Sequence, residues 1–186
     1  MKLMSYFLML VFCATTFAQT PEEMKAWEAY MAPSDTHKWL ATMDGEWDAD
    51  VTMWMDPSQP ANKSKAVAVN KMIFDGRYQH STHSGDLMGM PFNGESITAY
   101  DNAKKKFIAT WIDNMGTGIM VMEGTYDDAS KTLTMNGVTT DPMTGKDTPV
   151  TEKMIYHSKD SYTFEMYMVY EGKEMKTMEI VYNRKK

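Results

Sequence analysis

The chain has 186 residues, of which 43% are hydrophobic and 24% are charged. This composition predicts a globular domain and argues against a disordered chain or a multi-span membrane protein. The 19 basic residues face 25 acidic ones, for a formal net charge of −6. Because a phosphate backbone attracts basic surfaces, we expect no nucleic-acid partner.

The N-terminus has the pattern of a signal peptide over residues 1–18. A basic residue precedes a short apolar run, and Thr16 and Ala18 supply small side chains at the two positions that a signal peptidase recognises. The run is too short to cross a bilayer. We therefore expect cleavage after Ala18, a periplasmic or secreted product, and no transmembrane segment in the mature chain.

The single cysteine, Cys13, ends the apolar run. A lipoprotein signal cleaved before Cys13 is the alternative, but Phe12 is larger than the residue that such a signal needs at this position. Cleavage after Ala18 leaves no cysteine, so the mature fold depends on its buried core rather than on disulfides.

Two short helices are predicted next, and together residues 19–44 form an N-terminal helical cap. Thr20 and Glu23 flank the start of the first helix and can each accept a hydrogen bond from the other's backbone N–H. A second helix is predicted over residues 37–43, followed by Gly45 as a left-handed terminator. Three apolar residues recur on one face of the first helix: Met24, Trp27 and Met31.

After this cap the apolar period changes from 3.6 to 2, and short turns separate the runs. About ten strands are predicted, over residues 46–55, 66–74, 77–84, 95–100, 106–113, 118–126, 132–138, 150–157, 161–170 and 173–182. The connections are too short for crossover helices, so neighbouring strands should pair antiparallel. Because no second helical layer covers the sheet, residues 45–186 are predicted to close into an all-β, antiparallel up-and-down barrel.

Alternation along the strands predicts which side chains face the interior. The expected lining residues are Trp47, Tyr100, Trp111, Met120, Met122, Phe164, Met166 and Met168. Arg77, His80 and Asp113 are candidate polar contacts to a ligand. Asp113 shares the parity of Trp111, and Arg77 is the expected partner that would keep its carboxylate charged.

Several motifs carry a family resemblance. Gly45-Glu46-Trp47 at the entry to the first strand resembles the Gly-x-Trp signature of lipocalins and the wider calycin group, which implies that the tryptophan closes one end of the barrel. Together with this signature, an ordered string of motifs resembles the bacterial "domain of unknown function 1579" family; it comprises His37-Lys38-Trp39-Leu40, Asp75-Gly76-Arg77, residues 89–94, residues 99–102, residues 111–118 and Glu123-Gly124-Thr125. The resemblance implies a calycin-like barrel and, by analogy with that group, ligand binding, and it offers no catalytic residues to carry over.

Methionine is unusually frequent, with 21 residues. Four pairs occur at i and i+2: Met53/Met55, Met88/Met90, Met120/Met122 and Met166/Met168. Two thioethers on one strand face could bind Cu(I), so a copper-handling protein is an alternative. Flexible packing or cavity lining is the preferred explanation.

We predict no metal site, no cofactor and no catalytic residue. His80 and His83 are three residues apart in a strand, so they should face opposite sides and not share a metal. No nucleophile elbow or phosphate-binding glycine loop is present.

The apolar segment over residues 85–94 is predicted to be a lid over one barrel end or a contact for a partner. The expected function is binding of a small apolar or amphipathic ligand in the interior. Two competing hypotheses are an enzyme that acts in the same cavity and a structural protein whose barrel is filled solid.

Overall fold

The computed structural model describes residues 20–56, 58–170 and 172–186. The expected signal peptide and its cleavage site therefore lie outside the described residues. Two helices come first, α1 (Pro21–Met31) and α2 (Asp35–Ala41). Ten strands follow: β1 (Gly45–Met53), β2 (Asn62–Ile73), β3 (Tyr78–Leu87), β4 (Met90–Asp101), β5 (Lys106–Asp113), β6 (Met120–Asp127), β7 (Thr132–Thr140), β8 (Asp147–Ser158), β9 (Ser161–Tyr170) and β10 (Lys173–Arg184).

Each strand pairs antiparallel with its neighbours in sequence, and β1 also pairs with β10, which closes the barrel. The predicted antiparallel up-and-down barrel is thereby confirmed. Two strands carry local irregularities, between Tyr156 and Ser158 in β8 and between Lys176 and Met178 in β10.

The helix α1 belongs to a compact unit that ends at Met31, whereas α2 belongs to the unit of the barrel, which starts at Ala32. The predicted cap of α1 is confirmed: the backbone N–H of Thr20 donates to Glu23 Oε2 at 2.7 Å, and that of Glu23 donates to Thr20 Oγ1 at 3.2 Å. None of the side chains of α1 is buried.

The helix α2 closes one end of the barrel. His37, Leu40 and Met43 are buried there, and Trp39 packs against Phe107, with ring centroids 5.9 Å apart. Two further rings lie close to Trp39, those of Tyr126 and Tyr156, at 4.8 and 4.9 Å. We call α2 and the rings packed beneath it the plug.

Polar side chains of the barrel wall hold the backbone that ends α2. Gln79 Nε2 donates to the carbonyl of Leu40 at 2.8 Å, and Asn70 Nδ2 donates to that of Met43 at 3.2 Å. Arg184 Nη1 donates to the carbonyl of Asp44 at 2.6 Å. These donors add to local hydrogen bonds, since the carbonyl of Leu40 also accepts from the N–H of Met43 and the carbonyl of Met43 also accepts from the indole N–H of Trp47.

Trp47 lies within the closed end, where the resemblance to lipocalins places it. Its side chain is fully buried, its indole N–H donates to the carbonyl of Met43 at 3.0 Å, and its ring packs edge-on against Tyr162 at 4.9 Å. The guanidinium of Arg184 lies 4.2 Å above the same ring. The tryptophan thus links the plug, the first strand and the last strand.

Residues 85–94 form a hairpin and not the loop that the predicted lid requires, whereas the alternative of a partner contact stays a prediction. β3 and β4 pair as far as Leu87 and Met90, so only Met88 and Gly89 form the turn. Both turn residues have positive φ, 56° and 83°, as a tight two-residue hairpin requires. In the hairpin, the pairing of the two strands gives the backbone N–H and carbonyl groups hydrogen-bond partners that an unpaired loop would not provide.

Glycine at position 124 allows β6 and β7 to approach closely. A Cβ added to Gly124 would lie 1.8 Å from the backbone oxygen of Thr134, whereas one added to Gly118 would meet nothing within 4 Å. We therefore expect Gly124→Ala to lower the free energy of unfolding by about 2 kcal/mol or more. Gly118→Ala should change it by less than about 0.5 kcal/mol. Urea unfolding of both variants measures the difference. Equal unfolding midpoints would contradict this prediction, because they would show that β6 and β7 can separate enough to accommodate a Cβ at position 124.

Candidate functional site

The interior is accessible at the end opposite the plug, which we call the mouth. On β1, Trp47 and Ala49 are 0% and 3% exposed, whereas Val51 and Met53, the next inward residues toward the mouth, are only half-buried. On β9, Tyr162 is buried at the plug and Met166, further along, is half-buried. Inward side chains that keep solvent contact inside a closed wall indicate a hollow that opens at the mouth.

A pocket of about 200 Å³ lies at this mouth, and Val51, Met53, Ser64 and Leu87 are among its lining residues. A second depression, of about 440 Å³, is shallow and runs across β3, β4 and β5. Its lining combines outward side chains such as Thr82 and Glu95 with the inward residues His83 and Asp113, so both faces of the wall contribute to it.

A buried acid occupies the middle of the barrel wall. The inward residues of β8 are, from plug to mouth, Tyr156, Met154, Glu152, Val150 and Thr148. Glu152 is 9% exposed and forms no hydrogen bond or ion pair with any residue in the described parts of the chain. Burial raises the pKa of this carboxyl to about 7, because the low-dielectric interior disfavours its ionised form.

A histidine occupies the corresponding central position on β3. His83 faces the interior between Ser81 and Gly85, and burial lowers its pKa to about 4, so its ring is neutral at physiological pH. Its ring centroid lies 5.1 Å from that of Trp111 and 6.3 Å from that of Tyr182. Tyr182 also interacts electrostatically with Glu152. The polar centre of the interior therefore consists of His83, Tyr182 and Glu152.

The predicted methionines form one side of the interior. Met120 and Met122 of β6 and Met166 and Met168 of β9 all face inward and pack against one core cluster. Three methionines that the prediction did not include belong to or pack against the same cluster, Met72, Met135 and Met154. The other two i, i+2 pairs differ, because Met55 and Met88 are exposed in connections between strands.

Trp111 and Asp113 lie together near the mouth. The indole N–H of Trp111 donates to Asp113 Oδ2 at 2.7 Å, and the backbone N–H groups of Met115 and Gly116 donate to Oδ1 at 2.9 and 3.1 Å. Arg77 is not the partner of Asp113, contrary to our expectation. Arg77 lies in the β2–β3 connection at the plug end, where it donates to the carbonyl of Phe74 at 3.1 Å.

His80, a candidate polar contact to a ligand, lies on the outer face of β3 and not in the interior. Its Nε2 is 3.0 Å from Glu95 Oε2 on β4, in an ion pair when the ring is protonated. His80 and His83 face opposite sides of the sheet, as predicted.

The expected lining residue Tyr100 packs against His37 and Phe107 in the plug, with ring centroids 5.9 and 5.0 Å away. Phe164 faces inward on β9.

Glu152 and His83 were not among the predicted site residues. A signal for Glu152 was present, since it shares the parity of Val150 and Met154 in a predicted strand. His83 lies in a run with polar residues on both faces, so alternation could not assign its direction.

Within residues 20–56, 58–170 and 172–186, no group of three or more His, Cys, Asp or Glu side chains could hold a metal ion. None of the helices described is both long and apolar enough to cross a membrane.

The raised pKa of Glu152 predicts how its replacement changes stability. From pH 4.5 to about 7 the unfolded chain ionises this acid before the folded one, so the native state loses stability as the pH rises through this window. At pH 8, Glu152→Gln should therefore raise the free energy of unfolding by about 3 kcal/mol. The gain should vanish near pH 4, where the acid is protonated in both states. Urea unfolding at the two pH values measures it.

Glu165 supplies the control, because its pKa shifts in the direction opposite to that of Glu152. Burial acts to raise the pKa of Glu165, but hydrogen bonds from Lys176 and Tyr167, at 2.9 and 2.7 Å, lower it below its usual value. Glu165→Gln should therefore lower stability at pH 8. A loss of stability in Glu152→Gln at pH 8 would contradict the unpaired state of Glu152.

Similar barrels occur in solved structures. The crystal structure of Rv2717c from M. tuberculosis matches with a TM-score of 0.62 and 13% identity, over 83% of this chain and 100% of that chain. The S-type phycobiliprotein lyase CPES from Guillardia theta matches with a TM-score of 0.58 and 10% identity, over 81% of this chain and 93% of that chain. At these identities the likeness shows a shared barrel fold alone, and among curated proteins none matches this sequence. The family described as "Protein of unknown function (DUF1579)" matches residues 32–184, and the chain therefore belongs to that family.

Proposed function

We propose that the barrel binds a small apolar or amphipathic molecule in its interior, with entry at the mouth. The observation that carries this proposal is the gradient of burial along the inward side chains. On β1 they change from buried at the plug to half-buried toward the mouth, from Trp47 to Met53, whereas on β8 Val150 and Glu152 stay buried. A barrel filled solid would bury the inward residues in the middle of all its strands.

The wall has the chemistry of an adaptable apolar site. Methionine side chains are flexible and polarisable, and they fit ligands of irregular shape. The proposed wall residues are Trp111, Met120, Met122, Phe164, Met166 and Met168. Glu152 and His83 supply the polar contacts, with Asp113 near the mouth. Trp47 and Tyr100 hold the plug, so we assign them a supporting role.

Binding is favoured over catalysis by the arrangement of the titratable groups. Burial shifts the pKa values of both Glu152 and His83, as is common in active sites. However, no hydrogen bond joins the two among the described residues. General acid–base chemistry needs groups in hydrogen-bond reach of the same reacting atoms.

A bulky residue at the mouth tests the interior site. Val51 faces inward at the mouth and Thr52, its neighbour on β1, faces outward. We expect Val51→Trp to weaken binding of the neutral fluorescent probe N-phenyl-1-naphthylamine by about tenfold or more, and Thr52→Trp to leave it unchanged. Fluorescence titration measures both affinities. Equal loss in both variants, or none in either, would place the probe outside the interior.

We also propose that the chain is exported and that residues 1–18 are removed. The support is the apolar run followed by small residues at Thr16 and Ala18. Expression with the native N-terminus in a bacterial host, followed by N-terminal sequencing of the periplasmic fraction, should give Gln19 as the first residue. Recovery of uncleaved protein in the cytoplasm, or of a lipid-modified Cys13, would contradict this assignment.

A further inference from the structure

Glu152 is a polar group that the fold leaves without a protein partner among the described residues. Its neighbours across the two adjoining strands are apolar, Met135 on β7 and Met166 on β9. A buried polar group without a hydrogen bond destabilises the folded state by roughly 1–3 kcal/mol, and an unpaired charge destabilises it by more. The position is 9% exposed, and no side-chain nitrogen or oxygen of the described residues is both fully buried and unpaired, so the carboxyl group keeps a small contact with solvent. A ligand group that pairs with the acid would remove this penalty.

The rest of the interior carries no compensating positive charge. Two inward residues of β10 are basic, and they lie at its two ends: Arg184 at the plug and Lys173 at the mouth. Between them, no inward residue of the described strands is Lys or Arg. The guanidinium of Arg184 is already used, because it donates to the carbonyls of Thr42, Asp44 and Lys159.

The inward acids and rings favour a cation. Asp113 is a second inward carboxylate, whereas His83 stays neutral because burial lowers its pKa to about 4. The faces of aromatic rings attract cations, most strongly where water is excluded. Trp111 and Tyr182 both lie next to His83 in the polar centre. The interior therefore combines negative charge, aromatic faces and apolar thioethers.

We propose that the interior selects an amphipathic cation: a protonated amine whose nitrogen pairs with Glu152 and whose apolar chain runs along the methionine side toward the mouth. This inference rests on the proposed ligand-binding function and names its ligand class. Thr148, at the mouth end of β8, lies four positions before Glu152, a distance of roughly 13 Å along the strand. An extended decyl chain spans this distance.

Ligand binding should then be coupled to the ionisation of Glu152. Met135 and Met166, which adjoin it on β7 and β9, do not titrate, and Tyr182 on β10 has its pKa raised well above its usual value by burial. Below pH 7 the acid must lose a proton before it pairs with an ammonium group. The apparent affinity for the amine should therefore rise by about tenfold from pH 6 to pH 8.

The test compares three ligands that differ only in the head group: decylamine, decanol and decanoate, each titrated calorimetrically below its micellar concentration. The native protein at pH 8 should bind decylamine at least about tenfold more tightly than decanol, and decanoate more weakly than either. Glu152→Gln should reduce the affinity for decylamine to that for decanol and abolish the rise with pH. The control Glu165→Gln, on the outer face of β9, should retain both.

The outcomes separate this inference from the proposed function. If decanol and decylamine bind equally, and Glu152→Gln changes neither, the interior binds apolar chains but does not select a cation. Tighter binding of decanoate would also overturn the selectivity. If none of the three ligands binds the native protein, the proposed function fails together with the ligand class. Glu152→Gln should fold at least as well as the native chain, so loss of decylamine binding would not reflect unfolding.

Discussion

The structure depends on how the plug is held in one end of the barrel. A helix as short as α2 leaves carbonyl groups without intrahelical partners, and the barrel wall supplies donors from strands far apart in sequence. Gln79 comes from β3, Asn70 from β2 and Arg184 from the end of β10. Each of these hydrogen bonds contributes roughly 0.5–1.5 kcal/mol, so the plug and the closed sheet stabilise each other.

Closing one end makes the interior a blind hollow with one entrance. The aromatic residues concentrate at the plug, where rings such as Tyr162 and Tyr182 stack 4.5 Å apart, and the methionines of β6 to β9 pack around the cluster that contains Leu40. An acid buried at the boundary of these regions lowers the stability of the empty protein at neutral pH, because its ionised form is disfavoured there. A residue that breaks the pattern of a stable core in this way points to a functional position.

The strands and their order could be predicted from local patterns, and two of them, 106–113 and 161–170, match the structure to the residue. The inward parity of Phe107, Trp111 and Asp113 is also as predicted. Errors arose where the local pattern was weak. Polar residues on both faces of β3 hid the direction of His80 and His83. Arg77 and Asp113 were expected to pair although successive connections of an up-and-down barrel lie at opposite ends.

By itself, the sequence determined the number of strands, their antiparallel order and the cap of α1, because these depend on residues a few positions apart. The tertiary structure decided which end is plugged, how much of the interior stays open, and that Glu152 has no partner among the described residues. These properties depend on the combined volume and charge of side chains from strands that are distant in sequence. Only the closed sheet brings β3, β8 and β10 around one polar centre.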